Sequence, residues 1–159
     1  MTDFRYTLGY RLVQLGRAAG NEYTARVEKL GLRPQHVRLL TVVQGAGHAS
    51  QHELAGELGV TPSFVVGLAD DLERLGALNR ERDPRDRRRQ VLVLTTAGKR
   101  LLRDATRAAT ELDRELAREL SPGALAELRE SLEAVRVSLA RLGHIADVEM
   151  TATGVKPGP

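Results

Sequence analysis

The chain has no cysteine among its 159 residues, which excludes disulfides, thiolate metal sites and thiol catalysis. Aromatic side chains are scarce as well, 3% of residues against 42% hydrophobic overall. A core must therefore be built from Leu, Val and Ala, a composition that favours helices. No apolar run approaches the about 18 residues of a membrane span, and the N-terminus has no apolar signal segment, so a cytoplasmic protein with no membrane partner is expected. No Ser/His/Asp arrangement, phosphate-cradling glycine loop or pair of carboxylates at a recognisable spacing appears, so neither an enzyme nor a cofactor is expected. Of the four histidines, His48 and His52 stand four apart, but a helix start between them keeps them off a common helix face. His36 and His144 are isolated in sequence, and no metal site is expected. A net charge of +3 permits a nucleic acid partner without requiring one.

The informative stretch runs from Ser50 to Leu94. Ser50 and Glu53 form a capping box, so a helix starts there. Leu54, Ala55 and Leu58 give it one apolar face, and Gly59 is placed to end it. Thr61 offers a second N-cap with Pro62 at the first helical position, and Val60 and Val65 stand at staple positions across that cap. Val65, Leu68, Ala69, Leu72 and Leu75 then repeat at helical spacing until Gly76. Two short helices joined by a glycine turn make a helix-turn-helix, whose second helix presents its N-terminal end to a DNA major groove. Leu78 to Arg82 and Val91 to Leu94 predict two strands around a loop at 83–88, a β-hairpin or wing. Between residues 74 and 89 seven arginines (74, 80, 82, 85, 87, 88, 89) face three acids (81, 83, 86), a local balance of +4. A basic hairpin there suits contact with phosphates and insertion of an arginine into a minor groove.

The flanks are helical. Residues 5–29 predict a first helix with Leu8, Leu12, Leu15, Ala19 and Tyr23 on one face, ended by Gly31. Pro34 opens a second, with Val37, Leu40 and Val43 on a face and Gly45 and Gly47 at its close. After the wing, Thr95 or Thr96 caps a long helix carrying Leu102, Ala105, Ala109, Leu112 and Leu116. Ser121 and Pro122 start the last helix, where Leu125, Leu128, Leu132, Val135, Leu139 and Leu142 keep heptad spacing. Those stripes leave apolar surface that one protomer covers poorly, so a second copy is the expected cover, with Leu125, Leu128, Leu132, Val135 and Leu139 at the seam. An intramolecular bundle is the other solution. The tail from about Thr151 is expected to be disordered.

The runs LAGELGVTPSFVVGLADDLERLGAL and RDPRDRRRQVLVLTTAG, with GLRPQHVRLLTVV upstream, resemble the MarR family of winged-helix regulators over about residues 5–145. The specific part is the wing signature, Asp86-Arg87-Arg88 followed by Leu94-Thr95 and Gly98. The resemblance implies a mostly α fold with a small β-wing, a winged helix-turn-helix domain plus helical dimerisation arms. It implies an N-terminal dimerisation helix at 1–33, a DNA-binding domain at 34–94, a dimerising helical hairpin at 95–146 and a tail at 147–159. The implied function is a homodimer on a palindromic operator, often released by a small phenolic or aromatic ligand. Some members sense oxidation through cysteine, which this chain lacks.

Carried over residue by residue, the resemblance makes Thr61, Pro62, Ser63, Phe64, Val66 and Gly67 the base-reading end of the second helix, and Arg74, Arg85, Asp86, Arg87 and Arg88 the remaining DNA-binding set. Arg88 enters the minor groove, Asp86 orients it, and Arg85 and Arg87 reach flanking phosphates. Family members often carry hydroxyls at positions matching 64 and 66 and an arginine at 67, and Phe64, Val66 and Gly67 depart from that. Phe64 and Val66 can touch thymine methyls but cannot pair bidentately with guanine or adenine. Asp70 and Asp71 disfavour phosphate contact unless arginines neutralise them. Shallow direct readout follows, and a winged-helix module that binds a protein in place of DNA is the alternative reading. Tyr6, Tyr10, Arg11 and His36 are the effector-binding candidates that the resemblance suggests.

Overall fold

The computed structural model describes residues 3–47 and 49–142; His48, the chain beyond residue 142 and therefore the tail expected at 147–159 lie outside them. The chain divides into two compact units, Met1–Leu116 and Ala117–Pro159. The fold is mostly helical with one small antiparallel sheet. No helix among the described residues is long and apolar enough to cross a membrane.

In the first unit a 3-10 turn at Phe4–Tyr6 precedes α1 (Leu8–Glu28). The sequence predicts one continuous helix over 5–29, and the structure divides it. The break arises because Asp3 and then Thr7 each bond a backbone N–H two or three residues ahead, restarting the helix at residue 8. α2 (Pro34–Ala46) carries Gly45 inside it and ends at Gly47, whose φ of 69° favours glycine. α3 (Gln51–Leu58) begins on the Ser50–Glu53 capping box, both halves of which form, and ends at left-handed Gly59. α4 (Pro62–Arg74) begins on Thr61, whose hydroxyl accepts the Phe64 N–H. α4 stops one residue short of Leu75, which is 43% exposed and leaves the apolar face the spacing predicted for it.

β1 (Leu78–Arg82) and β2 (Gln90–Leu94) pair with Leu78 opposite Leu94 and Arg82 opposite Gln90. Leu92 also donates its N–H to Ala49 O at 3.2 Å, so the wing is stitched to the residue just before the α3 cap. α5 (Thr96–Leu116) follows. The core joins these elements through Leu39 and Leu40 of α2, Leu54 of α3, Val65 and Leu72 of α4, and Leu78 and Leu92 of the wing, all buried to 1% exposure or less. Truncating one such leucine to alanine costs about 2–5 kcal/mol. Arg26 of α1 donates to Glu115 of α5 at 2.6 Å.

The helical stripes on the flanks are only partly covered. On α1, Val27 is fully buried and Tyr23 partly, but Leu8 and Leu15 are 62% and 69% exposed. On α5, Leu102, Ala105 and Leu112 are buried while Leu116 is open to solvent. In the second unit α6 (Pro122–Arg141) starts on the Ser121 hydroxyl and carries Leu128, Leu132 and Leu139 exposed along one stripe, with Leu125 and Val135 half-buried.

Candidate nucleic-acid interface

The candidate interface is built on α4 and the wing. Pro62, Ser63, Phe64, Val66 and Gly67 occupy the first two turns of α4, after the cap at Thr61. The buried face of the helix is supplied by Val65, Leu68, Ala69 and Leu72, which leaves Phe64 and Val66 exposed. Phe64 is thus a surface residue. The Thr61 and Ser63 hydroxyls lie 3.1 Å apart and bond each other. An open groove of about 490 Å³ runs between the start of α2, at Arg33 and Gln35, and α4, at Ser63, Phe64, Gly67 and Asp71.

The acids of α4 are neutralised by arginines, from the wing, from the start of α2 and from α4 itself. Asp70 accepts from Arg80 Nη2 at 2.5 Å, and Arg80 also bonds Glu73, both from the first strand of the wing. Glu73 accepts the Arg80 backbone N–H as well, at 3.1 Å. Turned so that its oxygen faces the guanidinium, the Gln51 amide accepts from Arg80 Nε at 2.9 Å. Arg80 therefore ties α3, α4 and β1 together. Asp71 is held by Arg33 and by Arg74, one helical turn along. It also faces His36, whose Nε2 lies 3.2 Å from Asp71 Oδ2. Burial of Asp71 pushes its pKa up, but the His36 bond and the Arg74 and Arg33 charges outweigh that and hold it below the usual aspartate value.

The wing tip is organised by two aspartates at a repeated spacing. Asp83 is buried and accepts the Arg85 backbone N–H at 2.8 Å, and Asp86 accepts the Arg88 backbone N–H at 3.0 Å. Each is an Asx-turn, in which a carboxylate replaces a backbone acceptor two residues back. Asp86, the residue that the resemblance makes the orienter of Arg88, fixes the backbone that carries the guanidinium. Arg89 bonds Glu53 at 2.7 Å, so the carboxylate of the α3 capping box also anchors the wing. That bond and the Ser50 backbone and hydroxyl contacts lower the Glu53 pKa, the Ser50 backbone bond most of all.

The arginines thus fall into two sets. Arg74, Arg80 and Arg89 are bonded to acids, while Arg82, Arg85, Arg87 and Arg88 have no ion pair among the described residues. Sequence reasoning missed Arg33, Glu53, Glu73 and Asp83 as parts of this arrangement. Glu53 was legible as the capping-box acid but not as the partner of Arg89, and Asp83 had a local signal in the Asp-X-Arg spacing it shares with Asp86.

Behind the wing, Thr95 holds the strand-to-helix junction. Its hydroxyl donates to Gly76 O at 2.6 Å and accepts the Gly98 N–H at 2.9 Å. Gly98 packs so closely on Ala77 that a Cβ there would lie 2.0 Å from the Ala77 carbonyl oxygen.

Of the effector candidates, Tyr6 and Arg11 come together, the guanidinium carbon 5.5 Å from the ring centroid, and Tyr10 packs on Phe4 at 5.0 Å. His36 is elsewhere engaged. It is buried, accepts the Arg33 backbone N–H at Nδ1 and faces Asp71 at Nε2. None of the four lines the groove beside α4. Among the described residues no group of three His, Asp or Glu is placed to hold a metal ion.

Comparison with known proteins agrees with this architecture. A family model described as the MarR family matches residues 30–89. An uncharacterized HTH-type transcriptional regulator, YcgE of Bacillus subtilis (strain 168), is 36% identical over 111 residues, which is 67% of this chain and 72% of the relative. Among solved structures, Staphylococcus aureus MepR in complex with DNA superposes with a TM-score of 0.69 at 22% identity, covering 86% of this chain and 99% of that one. CouR of Rhodococcus jostii RHA1, bound to p-coumaroyl-CoA, gives the same TM-score at 24% identity, over 85% of this chain and 95% of that one. The chain belongs to the MarR family of winged helix-turn-helix, DNA-binding transcriptional regulators.

Proposed function

We propose that this protein acts as a homodimer on a palindromic operator, reading it through α4 and the wing, and represses by occluding a promoter. The observation that carries the reading is the division of the arginines. Three are engaged by acids and build the interface, and four on the wing have no ion pair among the described residues and keep their charge available. Arg88 enters the minor groove, where a weakly hydrated guanidinium loses little, and Arg85 and Arg87 reach phosphates. Neutralised Asp70 and Asp71 no longer repel the duplex.

Residues 34–94 form the DNA-binding domain in this reading, while 1–33 and 95–146 dimerise. The exposed stripe of α6 and the open apolar face of α1 support a second copy as their cover. Two recognition helices then stand about one DNA turn apart, about 34 Å. A small aromatic or phenolic effector releases the DNA. CouR holds p-coumaroyl-CoA, and here the Tyr6–Arg11 pair with neighbouring Tyr10 offers a ring surface and a cation.

A titration of the full-length protein against random duplex DNA at two salt concentrations tests this. Binding that weakens steeply with salt is expected. No binding at either concentration would favour the second reading, a protein-interaction module, to which the exposed Phe64 and Val66 also lend themselves.

A further inference from the structure

The first two turns of α4 expose two large apolar side chains, Phe64 at 45% and Val66 at 38%. The core does not need them, since Val65, Leu68, Ala69 and Leu72 complete it on the other face of the helix. No guanidinium or carboxamide accompanies them at positions 61 to 67, and the Thr61 and Ser63 hydroxyls bond each other. The next polar groups along the helix, Asp70 and Asp71, are bonded to arginines. A Cβ added at Gly67 would meet nothing within 4 Å, so the helix surface beside the pair is low and open to close approach.

Charge identifies the occupant. The wing that follows α4, tied to it through Arg80, carries Arg82, Arg85, Arg87 and Arg88 with no ion pair among the described residues, and these cations suit a polyanion. Duplex DNA is a polyanion that carries an apolar group in its major groove, the 5-methyl of thymine. The other bases present only donors and acceptors there.

We infer that Phe64 and Val66 are specificity-determining residues that read thymine methyl groups, so that each half-site is defined by where its thymines lie and not by guanine contacts. This rests on the DNA-binding reading above. A 5-methylcytosine, which places the same methyl in the same groove, should substitute in part for a contacted thymine.

The test begins by selecting duplexes from a random pool with the full-length protein. Each thymine of the enriched half-site is then replaced by uracil, which removes the methyl and keeps every hydrogen-bonding group, and binding is measured by fluorescence anisotropy. One or two thymines per half-site should show about fourfold weaker binding as uracil, the size expected for one buried methylene-sized group. In Phe64→Ala or Val66→Ala the thymine-to-uracil ratio should fall towards one at a single position, while Phe64→Leu should keep it. Both side chains are more than a third exposed, and the ratio is internal to each variant, so a general loss of affinity cannot imitate the result. A wild-type ratio of one at every thymine overturns the inference and leaves DNA binding standing. Ratios unchanged in both alanine variants overturn the assignment to these residues. No enrichment and no binding to random duplex would sink this inference and the DNA-binding reading together, and would hand the apolar pair to a protein partner.

Discussion

Asp86 Oδ1 accepts the backbone N–H of Arg88 at 3.0 Å, and the Arg88 guanidinium itself has no ion pair among the described residues. The acid therefore shapes the loop and leaves the cation available. Asp86→Asn keeps an acceptor at the same place and removes a negative charge, so it should bind operator DNA as tightly as the parent or more tightly. Asp86→Ala removes the acceptor too and should bind about 2- to 10-fold more weakly, matching a net hydrogen bond of about 0.5–1.5 kcal/mol. Anisotropy titrations of the two variants side by side separate loop geometry from bulk charge. Tighter binding by Asp86→Ala would mean the wing is only a positive cushion.

Two glycines should respond to alanine with opposite signs. At Gly98 the added Cβ would overlap the Ala77 carbonyl, a backbone atom that cannot swing aside. Gly98→Ala should cost about 3 kcal/mol or more and lower the melting temperature by roughly 6–12 °C. At Gly67 the added methyl meets open space inside a helix, so Gly67→Ala should gain about 0.5–1 kcal/mol. Thermal melts followed by circular dichroism check both.

His36 gives the fold an acid sensitivity. Its Nδ1 accepts the Arg33 N–H, so the neutral ring must carry its proton on Nε2, towards Asp71. The charged groups facing it are Arg33, Asp71 and Arg74. Burial lowers the His36 pKa below the ordinary 6.5, and the Asp71 bond that opposes this is the weaker influence. The unfolded chain then takes up a proton before the folded one does. Stability is complete above about pH 6.5, falls as the pH drops below it, and levels off once His36 titrates in the folded protein as well. Asp71, with a depressed pKa, adds stability that persists above about pH 3.8 and is lost further into acid. Urea unfolding across pH 5 to 8 should show the first decline, and His36→Gln should abolish it. An unchanged slope in that variant would place the titrating group elsewhere.

Much of this was legible in the sequence because the signals are local. The Ser50–Glu53 capping box, Gly59 at the end of α3 and the Thr61 cap with Pro62 after it act over two to four residues, and the helix-turn-helix follows from them. Partner choice is not local. Seven arginines look alike along the chain, and only the fold brings Arg89 to Glu53 and Arg80 to Asp70 and Glu73. The periodicity at Leu8, Leu15 and Leu116 correctly signalled apolar stripes, but periodicity does not say whether a stripe is covered within one protomer. The wing signature at Gly98 was visible as a motif, and its cause, the contact with Ala77, was not.

Leu132 is 47% exposed on α6, so a charge there costs a lone protomer little. In a seam between two copies the same charge is desolvated without a partner. Leu132→Asp should therefore keep its helical content and convert a dimer at micromolar concentration to a monomer in sedimentation velocity. A wild-type monomer at that concentration would remove the basis for two half-sites.

The salt dependence of DNA binding tests the division of the arginines most directly. Removal of two phosphate contacts by Arg85→Ala/Arg87→Ala should lower the slope of log K against log salt by about 2, with the melting temperature unchanged. Arg80→Ala, which strips a partly buried guanidinium from Glu73 and Asp70, should instead lose about 1–3 kcal/mol of stability. A double variant whose affinity and salt slope match the wild type would contradict the assignment of the wing as the DNA-contacting surface.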